Sequence, residues 1–367
     1  MTNWYALPDA DAIASPALLI DADRVRQNIE TALALVGHPD RLRPHVKTHK
    51  MTAVTQLCQE AGIQKFKCAT LAETAMLGRA GAPDVLLAYP VVGPNVARLR
   101  RLTATYPATR FSCLIDHEAP ARWLSAAFAD VPLDVYIDLN VGMNRTGVSP
   151  ADARLLAARC AQLSGLRLVG IHAYDGHIRD TDVPTRQRQA DETYQMAETV
   201  RQQLEAAQAT PLTLVMGGSP SFSVHAHRDV PRFEASPGTF VFWDAGYARQ
   251  VPDVPFQIAA ALLTRIISLV DEHTLTLDLG HKAVAAENPL PRVVFPDQPA
   301  ARPISQSEEH MVVSVPDARR HQPGEVWYAL PIHICPTVAL FDSVQVIQRN
   351  VPTGRWPVDA RGRHLDG

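Results

Sequence analysis

Short apolar runs typical of β-strands alternate with longer amphipathic stretches over most of the chain. Each run ends in polar or glycine residues and is followed by a stretch whose apolar positions recur with helical spacing. These stretches are rich in Ala, Leu and Arg, which favour helices, and they often close with Gly, as helix C-termini prefer. The apolar runs lie at 42–46, 65–69, 84–90, 110–116, 133–139, 166–174, 211–216 and 233–242. The pattern therefore predicts eight βα units.

Eight βα units fit an α/β fold of the (β/α)8 TIM barrel type, which usually takes about 250 residues. A doubly wound open sheet is the alternative, but no G-x-G-x-x-G motif opens a predicted helix. After residue 255 the pattern changes to runs rich in β-branched residues, separated by Pro, Gly and Asp turns and without amphipathic helices. We therefore expect a barrel over 21–255 and an antiparallel β domain over 256–367. The strand-like run at 16–21 suggests that the N-terminal segment 1–20 joins that domain.

The composition narrows the class of function. The 367 residues are 46% hydrophobic and 20% charged, an ordinary globular balance, and the net charge of −3 offers no basic surface for nucleic acid. No run of about 18 apolar residues predicts a membrane span, and the N-terminus lacks the pattern of a secretory signal. The five cysteines form no C-x-x-C pair, so neither a disulfide framework nor a structural zinc knuckle is indicated. We expect a cytoplasmic protein that acts on a small molecule, without nucleic acid or membrane partners.

Residues that follow the predicted strands are the candidates for chemistry, because the active site of such a barrel lies at the C-terminal ends of its strands. Two of these ends are rich in glycine, which lets backbone N–H groups approach an anion closely. One such turn is more often a plain turn, whereas two on adjacent strands suggest a phosphorylated ligand. The glycine-rich ends contain Gly217, Gly218 and Ser219 after the seventh run, and Gly238 and Thr239 within the eighth.

The decapeptide "RLRPHVKTHK", residues 41–50, places Lys47 at the end of the first predicted strand. On its own it reads as a solvated turn. A lysine at the barrel mouth can instead bond covalently to a carbonyl once burial and neighbouring cations lower its pKa. His45, His49, Lys50 and Arg145 are the candidate cations. Pyridoxal phosphate (PLP) accounts for both the lysine and the phosphate loops.

Several longer motifs resemble one enzyme family. They are "RPHVKTHK", "DLNVGMNRTG", "HAYDGHI", "GGSPSF", "SPGTFVFWD" and "PIHICPT". They closely resemble the D-threonine aldolase and D-serine dehydratase group, PLP enzymes built like alanine racemase with an N-terminal barrel and a C-terminal β domain. The resemblance runs in order from about residue 15 to about residue 345.

The resemblance implies a role for each matching residue. Lys47 would carry PLP covalently, and Arg145 would approach the cofactor's ring oxygen or the substrate carboxylate. Tyr174 would pack near the ring. The phosphate would be held by Gly217, Gly218, Ser219, Gly238 and Thr239. Enzymes of this architecture usually form homodimers, so a homodimer is expected here.

The stretch "HIC" raises the question of a metal. His333 and Cys335 would share one face if they lay on a strand, although an unrelated buried His and Cys are commoner than a metal pair. Members of the resembled group bind a divalent ion beside the cofactor through a His and a residue two positions later. In its aldolases the second residue is an Asp, within His-Cys-Asp-Pro-Thr, whereas its vertebrate D-serine dehydratases have His-x-Cys, as here. A thiolate favours zinc and a carboxylate suits manganese or magnesium, so the metal (Zn, Mn or Mg) stays open.

Two further polar clusters, "SEEH" and "DLGHK", fall in the predicted β domain. Both read most simply as polar turns between strands. His310 of the first cluster is a candidate for a catalytic role near the ion, and His281 and Lys282 of the second are weaker candidates.

The resemblance implies a lyase that acts on D-β-hydroxy-α-amino acids. Aldol cleavage, giving glycine and an aldehyde, is the main expectation. Dehydration of D-serine or D-3-hydroxyaspartate, giving a keto acid and ammonia, is the alternative. A racemase would need an acid or base on each face of the cofactor and would have no use for His333 and Cys335. A non-catalytic PLP carrier would end after the barrel, and this chain continues.

Overall fold

The computed structural model describes residues 3–363, which contain ten α-helices and sixteen β-strands. The strands are β1 Ala17–Asp21, β2 Lys65–Cys68, β3 Asp84–Pro90, β4 Arg110–Ile115, β5 Leu133–Asp138, β6 Leu166–Ala173, β7 Thr213–Met216, β8 Phe233–Ala235, β9 Ala260–Asp271, β10 Thr274–Leu277, β11 Val293–Val294, β12 Arg302–Gln306, β13 Met311–Ser314, β14 Val326–Pro331, β15 Ser343–Gln348 and β16 Val351–Pro357. The helices are α1 Ala22–Val36, α2 Thr52–Glu60, α3 Leu71–Arg79, α4 Asn95–Thr105, α5 Glu118–Ala127, α6 Pro150–Cys160, α7 Val183–Gln208, α8 Phe222–Ala226, α9 Ala245–Gln250 and α10 Ile334–Val338.

The chain divides into two compact units. The first, here called the β unit, contains the described residues up to Thr31, together with Thr48–Val54 and Thr239–Arg361. The second, here called the barrel unit, contains Ala32–Lys47 and Thr55–Gly238.

The barrel unit is built on seven parallel strands in the order β2-β3-β4-β5-β6-β7-β8. The segment 42–46 bridges both edges of this sheet, since Leu42 pairs with Ala235 and His45 pairs with Lys67. Pro44 lacks an N–H donor, which limits this segment to isolated bridges, but its carbonyl still accepts from the Lys67 N–H at 2.8 Å. The segment therefore lies between β8 and β2 and completes the eight-stranded circle that a (β/α)8 barrel requires.

Local sequence signals set where the barrel helices begin. The Thr70 hydroxyl accepts from the backbone N–H of Glu73 at 3.1 Å and so caps α3. Ser149 caps α6 in the same way, and Pro150 takes the first helical position, where its missing N–H costs nothing. These caps fix the points at which the chain turns away from each strand end.

A buried ion network links segment 42–46 to two strands of the barrel. Arg43, which is 1% exposed, donates to Glu234 at 2.5 Å and to Asp84 at 2.6 Å. Burial alone would lower the pKa of Arg43, but the two carboxylates outweigh it and raise that pKa. The network ties segment 42–46 to β3 and β8 and so stabilises barrel closure.

The β unit is a mostly antiparallel sheet in the order β12-β13-β10-β9-β1-β15-β16, with β14 beside β9 and β11 beside β14. β1 pairs antiparallel with β9 and parallel with β15. The side chains of Leu19, Leu263 and Ile347 meet in one buried cluster across these three strands. The run at 16–21 thus contributes a central strand to the sheet.

The segment that carries the predicted metal pair is not a strand. β14 ends at Pro331, and His333 is the N-cap of the short helix α10. Asp244 accepts from the Ile334 N–H at 3.1 Å, and Pro336 suits a first helical turn better than a strand interior. The expectation that His333 and Cys335 share a strand face is therefore wrong, although their two side chains still interact at the start of the helix.

Among residues 3–363, no helix is long and apolar enough to cross a membrane.

Candidate active site

Three cationic side chains surround the ring of Tyr174 in the barrel unit. The Arg145 guanidinium carbon lies 4.9 Å from the ring centroid, and the Nζ atoms of Lys47 and Lys67 lie 5.6 and 6.0 Å from it. Lys47 is half-buried and Arg145 is exposed. The structure therefore brings together Lys47, Arg145 and Tyr174, the three residues on which the sequence prediction rests.

Two glycines form the walls of the space that holds the Tyr174 ring. A Cβ added at Gly176 would lie 2.2 Å from the ring, and one added at Gly218 would lie 2.9 Å from it. Both distances are too short for a real contact, so any side chain here would displace the ring. The glycines of "DGH" and "GGS" are thus required by the position of Tyr174.

A buried polar network supports the loop Gly217–Ser219. The Gly218 N–H donates to the Ser221 hydroxyl at 3.1 Å, and that hydroxyl donates to Asp175 at 2.8 Å. Asp175 Oδ2 also lies 2.7 Å from His225 Nε2. Burial would raise the pKa of Asp175, but His225 and the hydrogen bonds lower it overall. Asp175 follows Tyr174 directly, so one network fixes both the loop and the ring.

Lys67 is a buried cation that the sequence analysis did not single out. Its Nζ lies 3.5 Å from His172 Nε2, and His172 Nδ1 lies 2.8 Å from Asp138. Thr146 donates to the same carboxylate at 2.8 Å, next to Arg145 in the chain. Burial, reinforced by the charge of Lys47, lowers the pKa of Lys67 to about 7.

His49 is not one of the cations that the sequence suggested. It is buried, its Nδ1 accepts from the Met51 N–H at 3.1 Å, and burial lowers its pKa to about 3. The imidazole is neutral at physiological pH. The cationic neighbours of Lys47 around Tyr174 are instead Lys67 and Arg145.

This part of the barrel unit fits a phosphorylated aldehyde cofactor. Among residues 3–363, neither the Lys47 amine nor the Arg145 guanidinium forms an ion pair or a side-chain hydrogen bond. Two cations without carboxylate partners favour an anionic ligand. The glycine loop beside them turns at Gly217, whose φ is +93°, and its Gly217 and Gly218 N–H groups donate to the Ala173 carbonyl and the Ser221 hydroxyl. An amine, an anion site and an aromatic ring thus occur together.

In the β unit, two hydroxyl groups contact the thiol of Cys335. Thr48 Oγ1 lies 3.2 Å and Thr239 Oγ1 3.3 Å from Cys335 Sγ. Burial would raise the pKa of Cys335, but His333 and these hydroxyls lower it overall. In the sequence, Thr48 directly follows Lys47 and Thr239 directly follows Gly238. The Thr239 side chain, predicted beside a phosphate, is directed to the thiol.

His333 contacts a carboxylate through one ring nitrogen. Its Nδ1 lies 2.5 Å from Glu287 Oε1. Burial would lower the pKa of His333, but Cys335 and Glu287 outweigh it and raise the pKa to about 9. Within residues 3–363, no group of three or more His, Cys, Asp and Glu side chains converges as a metal site. The donor set of one thiolate and one imidazole suits a zinc-like ion with open positions for other ligands.

His310 and Lys282, which the sequence offered as candidates near the ion, belong to the β unit. His310 is exposed in the turn between β12 and β13, and its side chain forms no hydrogen bond with the described residues. Lys282 pairs with Glu308 at 2.9 Å and with Glu309 at 3.1 Å, so "DLGHK" and "SEEH" contact each other. Ser219 is buried in the glycine loop. A catalytic role for His310 remains a prediction.

Comparison with known proteins assigns the chain to a family. Residues 20–244 match the model described as alanine racemase, N-terminal domain. The chain belongs to this alanine racemase family. Residues 259–347 match the model described as a putative serine dehydratase domain. The predicted alanine-racemase-like fold and the resemblance to the D-threonine aldolase and D-serine dehydratase group are thereby confirmed.

Several proteins of named activity align over nearly the whole chain. A D-threonine aldolase from Arthrobacter sp. is 28% identical over 95% of this chain and 93% of its own. A D-threo-3-hydroxyaspartate dehydratase from Delftia sp. (strain HT23) is 26% identical over 93% of this chain and 96% of its own. The crystal structure of D-threonine aldolase from Filomicrobium marinum superposes with a TM-score of 0.89 at 29% identity, covering 98% of each chain.

Proposed function

We propose that the protein is a lyase, dependent on PLP and a divalent metal ion, that acts on D-β-hydroxy-α-amino acids. Its main reaction is aldol cleavage to glycine and an aldehyde. The observation that carries this proposal is the cluster of Lys47, Arg145 and Tyr174, in a chain that aligns over nearly its full length with D-threonine aldolase. The aldolase expectation and its dehydratase alternative are both represented among the relatives.

The barrel unit supplies the residues that would hold PLP. Lys47 would bond to it covalently, Tyr174 would pack against its ring, and the phosphate would lie against the loop Gly217–Ser219 and Gly238. Bound PLP withdraws electrons from Cα of an amino acid. Arg145 is exposed and forms no ion pair within 4.0 Å in the described chain, so its guanidinium can pair with a carboxylate of the substrate.

The β unit supplies the candidate metal ligands, His333 and Cys335. A bound divalent ion polarises an oxygen such as a β-hydroxyl. His333, together with the hydroxyls of Thr48 and Thr239, lowers the pKa of Cys335 against the effect of burial and thereby favours the thiolate that a metal requires. Glu287 holds His333 at Nδ1, so Nε2 is the ring nitrogen left for an ion.

The two reactions differ in which proton leaves the substrate. In the aldol route a base takes the proton of the β-hydroxyl, and the Cα–Cβ bond breaks. In the dehydratase route the Lys47 amine, once the substrate amine has taken its place on the cofactor, would take the Cα proton and the hydroxyl would leave; water would then release the keto acid and ammonia. The Cys335 thiol favours the dehydratase alternative, because the resembled dehydratases have His-x-Cys.

A product assay tests this proposal. D-threonine, D-serine and D-3-hydroxyaspartate are offered separately to protein supplied with PLP and with zinc or manganese, with the L-isomers as controls. Glycine and an aldehyde from the D-isomers support the aldolase, and a keto acid with ammonia supports the dehydratase. Racemised substrate without either product pair would refute the lyase assignment.

The proposal includes a homodimer in the cytoplasm. A mass of twice 40.2 kDa in light scattering would support the dimer, and the monomer mass would contradict it.

A further inference from the structure

We propose that Glu287 is a positioning residue that orients His333 toward a divalent ion, an inference that rests on the proposed function. Glu287 lies in the loop between β10 and β11, and its Oε1 lies 2.5 Å from His333 Nδ1. The two residues are 46 positions apart in sequence, so the fold, not local helical or strand geometry, creates the contact.

The Glu287 carboxylate determines which ring nitrogen of His333 is available to an ion. A neutral imidazole carries one N–H and one lone pair, and a carboxylate at Nδ1 fixes the N–H on that nitrogen. The lone pair then lies on Nε2. Histidines that bind metals commonly donate their other N–H to a carboxylate, which sets the ring orientation and strengthens the metal bond. The Glu287 carboxylate lies at Nδ1, the position that this arrangement requires.

Two hydrogen bonds of Thr337 connect the loop that contains Glu287 to the start of α10. The Thr337 hydroxyl donates to the His333 carbonyl at 2.8 Å and accepts from the Ala285 N–H at 3.2 Å. Thr337 is buried, so this link is shielded from water. The backbone two residues before Glu287 is thereby fixed relative to the backbone of His333, and the carboxylate is held where it meets Nδ1.

Glu287 acts through His333 rather than as a further ligand. No group of three or more metal-binding side chains converges anywhere in the described chain, so Glu287, His333 and Cys335 do not meet at one point. The side chains of Glu287 and His333 are 44% and 37% exposed. A surface ion pair of that kind contributes little to stability. The structural consequence of the contact is therefore a defined ring orientation more than a tighter fold.

The test measures Zn²⁺ affinity by competition with a chromophoric chelator, using the PLP-loaded protein. Glu287→Ala should weaken Zn²⁺ binding by about 10- to 100-fold. Glu287→Gln keeps a neutral acceptor, so its Zn²⁺ affinity should lie between the affinities of Glu287→Ala and wild type. Glu309→Gln is the matched control, because it removes an exposed carboxylate of the same unit and should bind Zn²⁺ as wild type does. Thermal melts of the Gln variant, expected to match wild type, exclude a general loss of structure.

His333→Ala distinguishes a failure of the role of Glu287 from a failure of the metal assignment. If it abolishes Zn²⁺ binding while both Glu287 variants retain wild-type affinity, the role of Glu287 is refuted and the metal assignment stands. If His333→Ala itself leaves the affinity unchanged, the metal assignment within the proposed function is wrong, and the role of Glu287 fails with it.

Discussion

Replacement of Lys67 by Met should stabilise the cofactor-free protein, by an amount that depends on pH. Burial lowers the pKa of Lys67 from 10.5 to about 7, which corresponds to about 5 kcal/mol of unfavourable free energy, since one pKa unit is about 1.4 kcal/mol. Methionine fills a similar volume without a charge. Loss of the contact with His172 costs about 1 kcal/mol, so the net gain is about 4 kcal/mol.

The sign of the pH dependence follows from proton linkage. The folded protein holds the Lys67 proton less tightly than the unfolded chain does, so wild-type stability rises between about pH 7 and 10.5. The advantage of Lys67→Met should therefore be fully present below pH 7 and should decline toward pH 10.5.

Urea unfolding of both proteins from pH 6 to pH 10 measures this difference. Lys282→Met, at an exposed lysine, is the control and should show no gain at neutral pH. A Lys67→Met variant that is less stable than wild type at pH 6, or whose advantage does not change with pH, would refute the burial argument.

Three further predictions concern the site and its support. Gly218→Ala should weaken PLP binding, because its methyl group would lie 2.9 Å from the Tyr174 ring; a fluorescence titration with PLP checks this, and an unchanged Kd would contradict it. Arg43→Met should lower the free energy of unfolding by about 3 kcal/mol, the low end of the range for a broken buried pair, because Glu234 loses its buried partner but keeps Lys65 at 2.8 Å; urea unfolding measures the loss, and wild-type stability would refute it. Cys335→Asp should shift the metal preference from zinc toward manganese, as competition binding would show; an unchanged preference would mean that Cys335 is not a ligand.

The sequence predicted the barrel well because its signals are local. Apolar runs and glycine-closed helices mark each βα unit, so β2 through β7 lie within the predicted runs. The predicted eighth run is shorter in the structure, where the strand ends at Ala235 shortly before Pro237, which cannot donate to a ladder. Lys47 and Gly218 were found because they follow strand ends, where such barrels place their chemistry.

The supporting networks could not be predicted because their members are far apart in the chain. Lys67, His172 and Asp138 lie on three different strands, and no spacing rule joins them. His333 and Cys335 were assigned to a strand because β-branched and aromatic residues precede them, whereas in the fold His333 starts a helix whose Ile334 N–H donates to Asp244. Local pattern identifies the chemistry, whereas tertiary contacts decide its geometry.

The central claim is that Lys47 holds PLP, and borohydride reduction of the PLP-loaded protein tests it most directly. Reduction makes the lysine linkage permanent, and peptide mass mapping then locates the pyridoxyl group. Lys67 lies almost as close to the Tyr174 ring as Lys47, so the measurement distinguishes two lysines in one site. We predict a single modified peptide that carries the group on Lys47. Modification at Lys67, or no modification at either lysine, would contradict the account.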